Sequence, residues 1–199
     1  MNTAPPSEVR LTAERYLALV DQGVLGPDDR VELIEGVIVA MAPPHEMPHA
    51  AGVRRANYAL MQAVGDRATV QVQLSLHVSA FSVPEPDIAV LEGHVADYDH
   101  RRPTTALLVI EVADSSLPQD RITKARLYAR TGIPEYWIVN LRDDCVEVHR
   151  SPVAGDLRWA ERRVARRGET IELAALAGAT VGVDDLLPAP PPHDDPSDA

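Results

Sequence analysis

A short, almost uninterrupted apolar run in the middle of the chain constrains the fold most strongly. Residues 106–113 read Ala-Leu-Leu-Val-Ile-Glu-Val-Ala, which is the pattern of a strand buried on both faces of a sheet. Such a strand lies centrally, with helices covering the sheet. The run contains one charged residue, Glu111, and a buried carboxylate is costly unless it is paired or bound to a metal. The run therefore predicts both a central strand and an unusual acidic residue within it.

The patterns on either side of this run predict helices and further strands. Thr12 is a good N-cap for a helix that continues to about Gln22, and apolar residues at helical spacing predict a second helix over residues 48–64. Asp120 is expected to cap a third helix that ends near Arg130. The expected strands cover residues 30–36, 37–41, 70–78, 87–91, 106–113, 136–139, 145–150, 158–165 and 170–173. This order predicts a mixed α/β (α+β) fold, in which helices flank a mixed central sheet.

Length and composition predict one domain. The 199 residues are 45% hydrophobic, which is enough for a single core. We expect a flexible N-terminus over residues 1–10, a folded domain over residues 11–187 and a disordered tail, rich in Pro and Asp, over residues 188–199. The sequence has no apolar run of membrane-spanning length and no signal-peptide pattern. Its single cysteine, Cys145, excludes an intramolecular disulfide, so the sequence predicts a cytoplasmic protein.

The charge of the chain limits how it could bind nucleic acid. A net charge of −11 argues against a protein that coats nucleic acid without specificity, because such binding depends on neutralising phosphates. The charge is unevenly distributed, however, since residues 183–199 contain acids and no base, whereas arginines cluster over residues 158–167. These arginines form either an ordinary solvated surface or a local phosphate-binding face.

Lysine is nearly absent from this sequence. Of the 19 cationic residues only one, Lys124, is a lysine. Ordinary surface ion pairs accept either cation, whereas approaching a phosphate or a water molecule favours a compact ammonium group. A GC-rich coding bias favours arginine throughout a sequence and would equally leave a single lysine. Lys124 lies four residues after Asp120 and four before Tyr128, so the three share one helix face. An exposed ion pair between Asp120 and Lys124 is the alternative interpretation.

Asp87 is the second acidic residue of interest. It begins an expected strand directly after Pro84-Glu-Pro86, and alone it would be an ordinary acid at a strand start. Together with Glu111, it could hold Mg²⁺ or Mn²⁺, because hard cations prefer oxygen ligands. A bound metal and the Lys124 ammonium could then activate a water molecule and stabilise charge on a phosphoryl oxygen. The three residues therefore predict a metal-dependent nuclease-type site.

Several motifs, in order and without large gaps, carry a family resemblance over roughly residues 10–187. They are Val31-Glu-Leu-Ile-Glu-Gly36, Pro86-Asp-Ile-Ala-Val90, Val109-Ile-Glu-Val-Ala-Asp-Ser-Ser116, then Asp120 with Lys124 and Tyr128, and Gly132-Ile-Pro-Glu-Tyr-Trp-Ile-Val139. The chain resembles the Uma-type putative restriction endonuclease family, which belongs to the PD-(D/E)XK nuclease superfamily. The resemblance implies a restriction-endonuclease-like core.

The resemblance also implies roles for particular residues. It assigns Asp87 and Glu111 as metal ligands. The superfamily places a lysine two residues after the glutamate, but this chain has Ala113 there. In this family the lysine is displaced to the following helix, where Lys124 lies. The family pattern further marks Glu32 in the first hairpin and His49 near the start of the second helix. From the residues alone, Glu32 could equally be a surface residue, and His49 either contacts phosphate or orients another group.

These observations favour an Mg²⁺-dependent endonuclease that hydrolyses DNA phosphodiester bonds. The alternative is a catalytically inactive nuclease-fold module that binds its partner within a mobile-element or defence system. A zinc hydrolase using His45 and His49 is a weaker option, because no third His or Cys has zinc-site spacing. Exposed strands over residues 70–78 and near the C-terminus could pair two chains into a homodimer. Tyr136 and Trp137 are expected to pack in the core and not to stack on bases.

Overall fold

The computed structural model describes residues 10–41, 47–153 and 155–189. The helices are α1 (Ala13–Asp21), α2 (Met47–Val64), α3 (Leu117–Gln119), α4 (Ala125–Arg130) and α5 (Val183–Leu186), and a π-helical turn (Asp120–Lys124) joins α3 to α4. The strands are β1 (Val31–Ile34), β2 (Val37–Ala40), β3 (Ala68–Val72), β4 (Ile88–Glu92), β5 (Leu108–Ala113), β6 (Glu135–Asn140), β7 (Cys145–Val153), β8 (Arg158–Arg166), β9 (Thr170–Glu172) and β10 (Thr180–Gly182).

Six of these strands form the central sheet, in the order β3-β4-β5-β6-β7-β8. Only β5 and β6 pair in parallel, while the other neighbouring strands are antiparallel. Parallel neighbours need a long crossover connection, which α3, the π-helical turn and α4 provide. The predicted mixed sheet flanked by helices is therefore confirmed, and β5 is central and buried along its whole length.

The sheet separates two apolar layers. Ile110 and Val112 of β5 pack with α2 residues such as Ala56 on one face. Val109 and Ala113 pack with Tyr128 of α4 on the other face. Because side chains alternate along a strand, Glu111 points toward the α3–α4 layer.

Helix α2 approaches β5 very closely at Gly52. A Cβ atom built at Gly52 would lie 2.8 Å from Val112 Cγ1. Residues 49–52 therefore lie against the C-terminal half of β5, and this close approach brings the first turn of α2 beside the strand.

The β1–β2 hairpin forms a separate two-stranded sheet. Its turn uses Glu35 (φ 53°) and Gly36 (φ 85°), as the sequence predicted. Leu33 and Val83 exchange backbone hydrogen bonds of 3.3 and 2.8 Å. This pairing attaches the hairpin to the segment that leads into β4.

Two predicted element boundaries were wrong. The third strand ends at Val72 instead of continuing to residue 78, because Gln73 turns the chain with a left-handed φ of 47°. The third helix begins at Leu117 with Ser116 as its N-cap, so Asp120 is not a cap. Pro118 is compatible with the first turn of a helix, where its missing N–H needs no partner.

Other expectations concern the edges and ends of the chain. Strand β9 pairs with β10 outside the central sheet, and β10 and α5 were not predicted. Residues 1–9 and 190–199, which carry most of the flexible N-terminus and tail expected above, lie outside the described residues. Within the described ranges, no helix has both the length and the apolar character needed to cross a membrane.

Candidate active site

The pairing of β4 with β5 brings the two predicted acidic ligands together. Ile88 pairs with Ile110 in the antiparallel ladder, so Asp87 lies opposite Glu111. The Asp87 backbone N–H donates to Glu111 Oε2 over 3.3 Å, and the backbone N–H of Val112 donates to Asp87 Oδ2 over 2.9 Å. The two carboxylates therefore lie where β4 begins and β5 ends.

The Asp87 carboxylate is oriented by two further side chains. His49 Nε2 lies 3.2 Å from Asp87 Oδ2, and Gln73 Nε2 donates to Asp87 Oδ1 over 3.2 Å. The hydrogen bond with Asp87 raises the pKa of His49 above its ordinary value, although partial burial opposes this effect. His49 thus lies beside Asp87, and its contact is with a carboxylate.

Lys124 is buried at the centre of the site. Its Nζ atom lies 2.9 Å from Glu32 Oε2 and 3.0 Å from Glu111 Oε1, and the residue is only 4% exposed. Burial lowers the pKa of Lys124, but the charges of Glu111 and Glu32 outweigh burial and raise it above its ordinary value. Lys124 is therefore a protonated ammonium group, and the alternative of an exposed ion pair with Asp120 is wrong.

Glu111 has a second donor from the same helix. The Tyr128 hydroxyl donates to Glu111 Oε1 over 3.0 Å, beside the Lys124 contact. Burial raises the pKa of Glu111 to about 8, although Lys124 opposes this shift. The helical spacing that placed Lys124 and Tyr128 on one face therefore directs both groups to a single carboxylate oxygen.

Glu32 reaches the site from the separate hairpin. It is 2% exposed, and its Oε2 atom accepts from the backbone N–H of Glu85 over 3.1 Å as well as from Lys124. The interpretation of Glu32 as a surface residue is wrong. The pairing of Leu33 with Val83 explains this placement, because it holds the hairpin beside the strand that carries Asp87.

Asp120 belongs to the same site, although the sequence pattern predicted that it would cap a helix. It is 4% exposed, and burial raises its pKa to about 6, while a hydrogen bond with Ser116 and the charge of Lys124 oppose the shift. Its spacing of four residues from Lys124 was the signal that could have revealed it. The pKa of Glu85, which is half-buried beside Glu32, is raised mainly by burial and to a smaller extent by the charge of Glu32.

The donor chemistry of this site suits a hard divalent cation. Acidic side chains outnumber the single ammonium group, and Asp87 and Glu111 lie opposite each other across the β4–β5 pair. Over the ranges that the structure describes, no three Asp, Glu, His or Cys side chains form a ready-made metal centre. Two carboxylates with water in the remaining positions is the arrangement that Mg²⁺ accepts, so the residues fit this ion.

The remaining candidate groups lie outside the described residues, in the core or at the surface. His45 lies outside the described residues. Tyr136 and Trp137 are fully buried in the two core layers, as predicted. Within the arginine cluster, Arg158 pairs with Asp156, and Arg167 pairs with Asp144 and Asp184, so part of the suggested phosphate-binding face is neutralised.

In this mixed α/β fold, the strands and the residues beside them supply acidic side chains, and the helical segment that follows β5 supplies a lysine. The chain matches the Uma2 family, described as putative restriction endonuclease, over residues 13–184. It therefore belongs to this family, and the predicted resemblance is confirmed.

A solved structure supports the fold independently. The chain is similar to the crystal structure of a putative nuclease belonging to DUF820 from Anabaena variabilis, with 18% sequence identity and a TM-score of 0.68. The match covers 88% of this chain and 97% of that chain. At this identity the likeness is evidence for the fold alone. No curated protein matches the chain.

Proposed function

We propose that this protein is an Mg²⁺-dependent endonuclease that hydrolyses phosphodiester bonds of DNA. The observation that carries the proposal is the burial of Lys124 between Glu32 and Glu111, where Glu111 also accepts from the backbone N–H of Asp87. A buried ammonium group among several carboxylates is costly to maintain for stability alone, and titratable groups perturbed in this way cluster at functional sites. Family membership supports nucleic acid as the substrate.

Each residue has a distinct role in this proposal. Asp87 and Glu111 would hold Mg²⁺, which would polarise a phosphoryl oxygen and lower the pKa of a bound water. The Lys124 ammonium group stabilises the charge that develops on the phosphate, because a positive group fixed in a dry site costs no reorganisation during the reaction.

The remaining residues orient these groups. Glu32 holds Lys124 in place, Tyr128 fixes one oxygen of Glu111, and His49 together with the Val112 N–H fixes the Asp87 carboxylate. Fixed orientation matters because small displacements of reacting groups reduce the rate strongly.

The proposal extends to the assembly and location of the protein. We propose a cytoplasmic homodimer, paired through an edge of the central sheet. Strands β3 and β8 are the two edges of that sheet, and an unpaired strand edge can pair with a second chain. Sedimentation at micromolar concentration tests the dimer, and a monomer would contradict it.

A cleavage assay tests the proposed activity. Wild-type protein should nick supercoiled plasmid DNA in Mg²⁺ or Mn²⁺ and not in EDTA. Asp87→Ala and Lys124→Ala should each reduce the rate by at least about 100-fold. Asp156→Ala, which removes an exposed acid in the β7–β8 turn, is the matched control and should cleave like wild type. Equal cleavage by all four proteins would refute the site.

Calorimetric titration with Mn²⁺ distinguishes the alternative function. A working site binds Mn²⁺ in wild type and loses that binding in Asp87→Ala. If wild type binds no Mn²⁺ and cleaves nothing, the inactive nuclease-fold binding module is the correct interpretation.

A further inference from the structure

One buried carboxylate at the site has no partner for one of its oxygens. Asp120 Oδ2 is buried and makes no hydrogen bond to any residue that the structure describes. An unpaired polar atom in the interior destabilises the fold. The other carboxylates of the cluster have partners: Asp87 accepts from three groups, and Glu32 and Glu111 both accept from Lys124. The open oxygen of Asp120 is therefore an exception that needs a ligand.

The backbone at Asp120 is also unusual. The residue begins the π-helical turn over Asp120–Lys124, and such turns are rare and frequent at functional sites. The Tyr136 hydroxyl donates to the Asp120 backbone carbonyl over 3.2 Å, which ties the turn to β6. Asp120, Lys124 and Tyr128 follow one another on a single helix face, and the last two contact Glu111. The helix therefore directs Asp120 into the same site.

The other groups of the site are poorly placed to accept a proton. Lys124 is a protonated ammonium group with two of its three hydrogens directed at Glu32 and Glu111. The Nε2 atom of His49 is engaged with Asp87, so its other ring nitrogen points away from that carboxylate. Asp87 and Glu111 are the proposed metal ligands. Among the carboxylates that the structure describes at this site, only Asp120 has a buried oxygen without a partner.

We propose that Asp120 is the general base of the reaction, an inference that rests on the proposed nuclease function. In the reaction, the attacking water donates a hydrogen bond to Asp120 Oδ2, the buried oxygen that has no partner. As the water oxygen forms a bond to phosphorus, its proton passes to Asp120 Oδ2. The bond between phosphorus and the leaving ester oxygen breaks, and that oxygen takes a proton from bulk water.

Substitution of Asp120 tests the proposal with three measurements. Asp120→Asn should reduce single-turnover cleavage by about 100-fold to 10,000-fold, the usual contribution of a general base. Its Mn²⁺ affinity should stay within about threefold of wild type, since Asp120 is not a ligand, and its Tm at pH 8 should be equal or higher, because a buried charge is removed. Asp156→Asn is the matched control and should behave like wild type in all three measurements.

Chemical rescue separates a base from a structural residue. In Asp120→Ala, added formate should enter the vacated space and restore cleavage by at least about tenfold, whereas formate should not restore Asp87→Ala. Cleavage by Asp120→Asn within tenfold of wild type would overturn the proposal, as would a tenfold loss of Mn²⁺ affinity, a lower Tm or a failure of rescue. Absence of metal-dependent cleavage by wild type would overturn the proposed function itself, and this inference with it.

Discussion

Replacing Glu111 with glutamine should stabilise the metal-free protein at high pH while abolishing the proposed nuclease activity. The carboxylate is buried, and its pKa is raised to about 8 in the folded protein from an ordinary value of 4.5. Because the pKa is higher in the folded protein than in the unfolded chain, the protonated Glu111 carboxyl group contributes stability to the fold. This contribution is complete below pH 4.5 and is lost as the pH rises toward 8. Glutamine keeps the shape and an acceptor oxygen but has no charge to bury.

The magnitude follows from the shift. Each pKa unit corresponds to about 1.4 kcal/mol, so the contribution lost as the pH rises from well below 4.5 to well above 8 is about 5 kcal/mol. Between pH 5.5 and 8, the free energy of unfolding of Glu111→Gln should therefore rise by about 3 kcal/mol relative to wild type. Titrating groups that lie far from Glu111 are present in both proteins and cancel in the difference.

Urea denaturation of both proteins at pH 5.5, 7 and 8, in EDTA, measures this difference. A parallel series in Mn²⁺ should stabilise wild type and not the variant, because a ligand that binds only the folded state stabilises it. If the two proteins differ by the same amount at every pH, or if the variant becomes less stable at pH 8, the argument that burial controls the Glu111 carboxylate is refuted.

Three further substitutions test other parts of the structure by urea denaturation. Tyr128→Phe removes the hydroxyl that donates to Glu111 and should cost about 1–2 kcal/mol, with slower cleavage; unchanged stability and rate would contradict its role. Burial lowers the pKa of His149, and a lowered histidine pKa gives stability that is lost as the pH falls. His149→Phe should therefore lose less stability than wild type below pH 6.5. Identical curves of stability against pH for the two proteins would refute this. Gly52→Ala should destabilise the fold by about 1–3 kcal/mol, because the added methyl group would lie 2.8 Å from Val112. A more stable variant would show that α2 can move away from β5.

Much of the fold could be predicted because its signals are local. The apolar run around Glu111 predicted β5, and the capping residue Thr12 predicted the start of α1, where its side chain accepts from the Arg15 N–H over 3.3 Å. The errors arose where local signals conflicted. Alternation continues past Val72 in the sequence, but Gln73 turns the backbone, and no side-chain pattern reports that change.

The candidate site was predicted unevenly for a related reason. Glu111 stood out because a charge within an apolar strand is anomalous in sequence. Glu32 did not stand out, because its burial depends on a hairpin that pairs with a distant segment at Val83. Asp120 was misassigned as a cap, since only the packed structure shows that its carboxylate is buried and that one oxygen lacks a partner.

Sequence patterns were sufficient to predict that a central strand carries a buried carboxylate and that the one lysine lies on the helix that follows it. Both depend on residue type and on spacing along one stretch of chain. Packing in three dimensions places Lys124 between Glu111 and Glu32, brings His49 to Asp87 and leaves one oxygen of Asp120 without a partner. These contacts join residues from different elements, and their distances depend on how the sheet, the hairpin and the helices pack together.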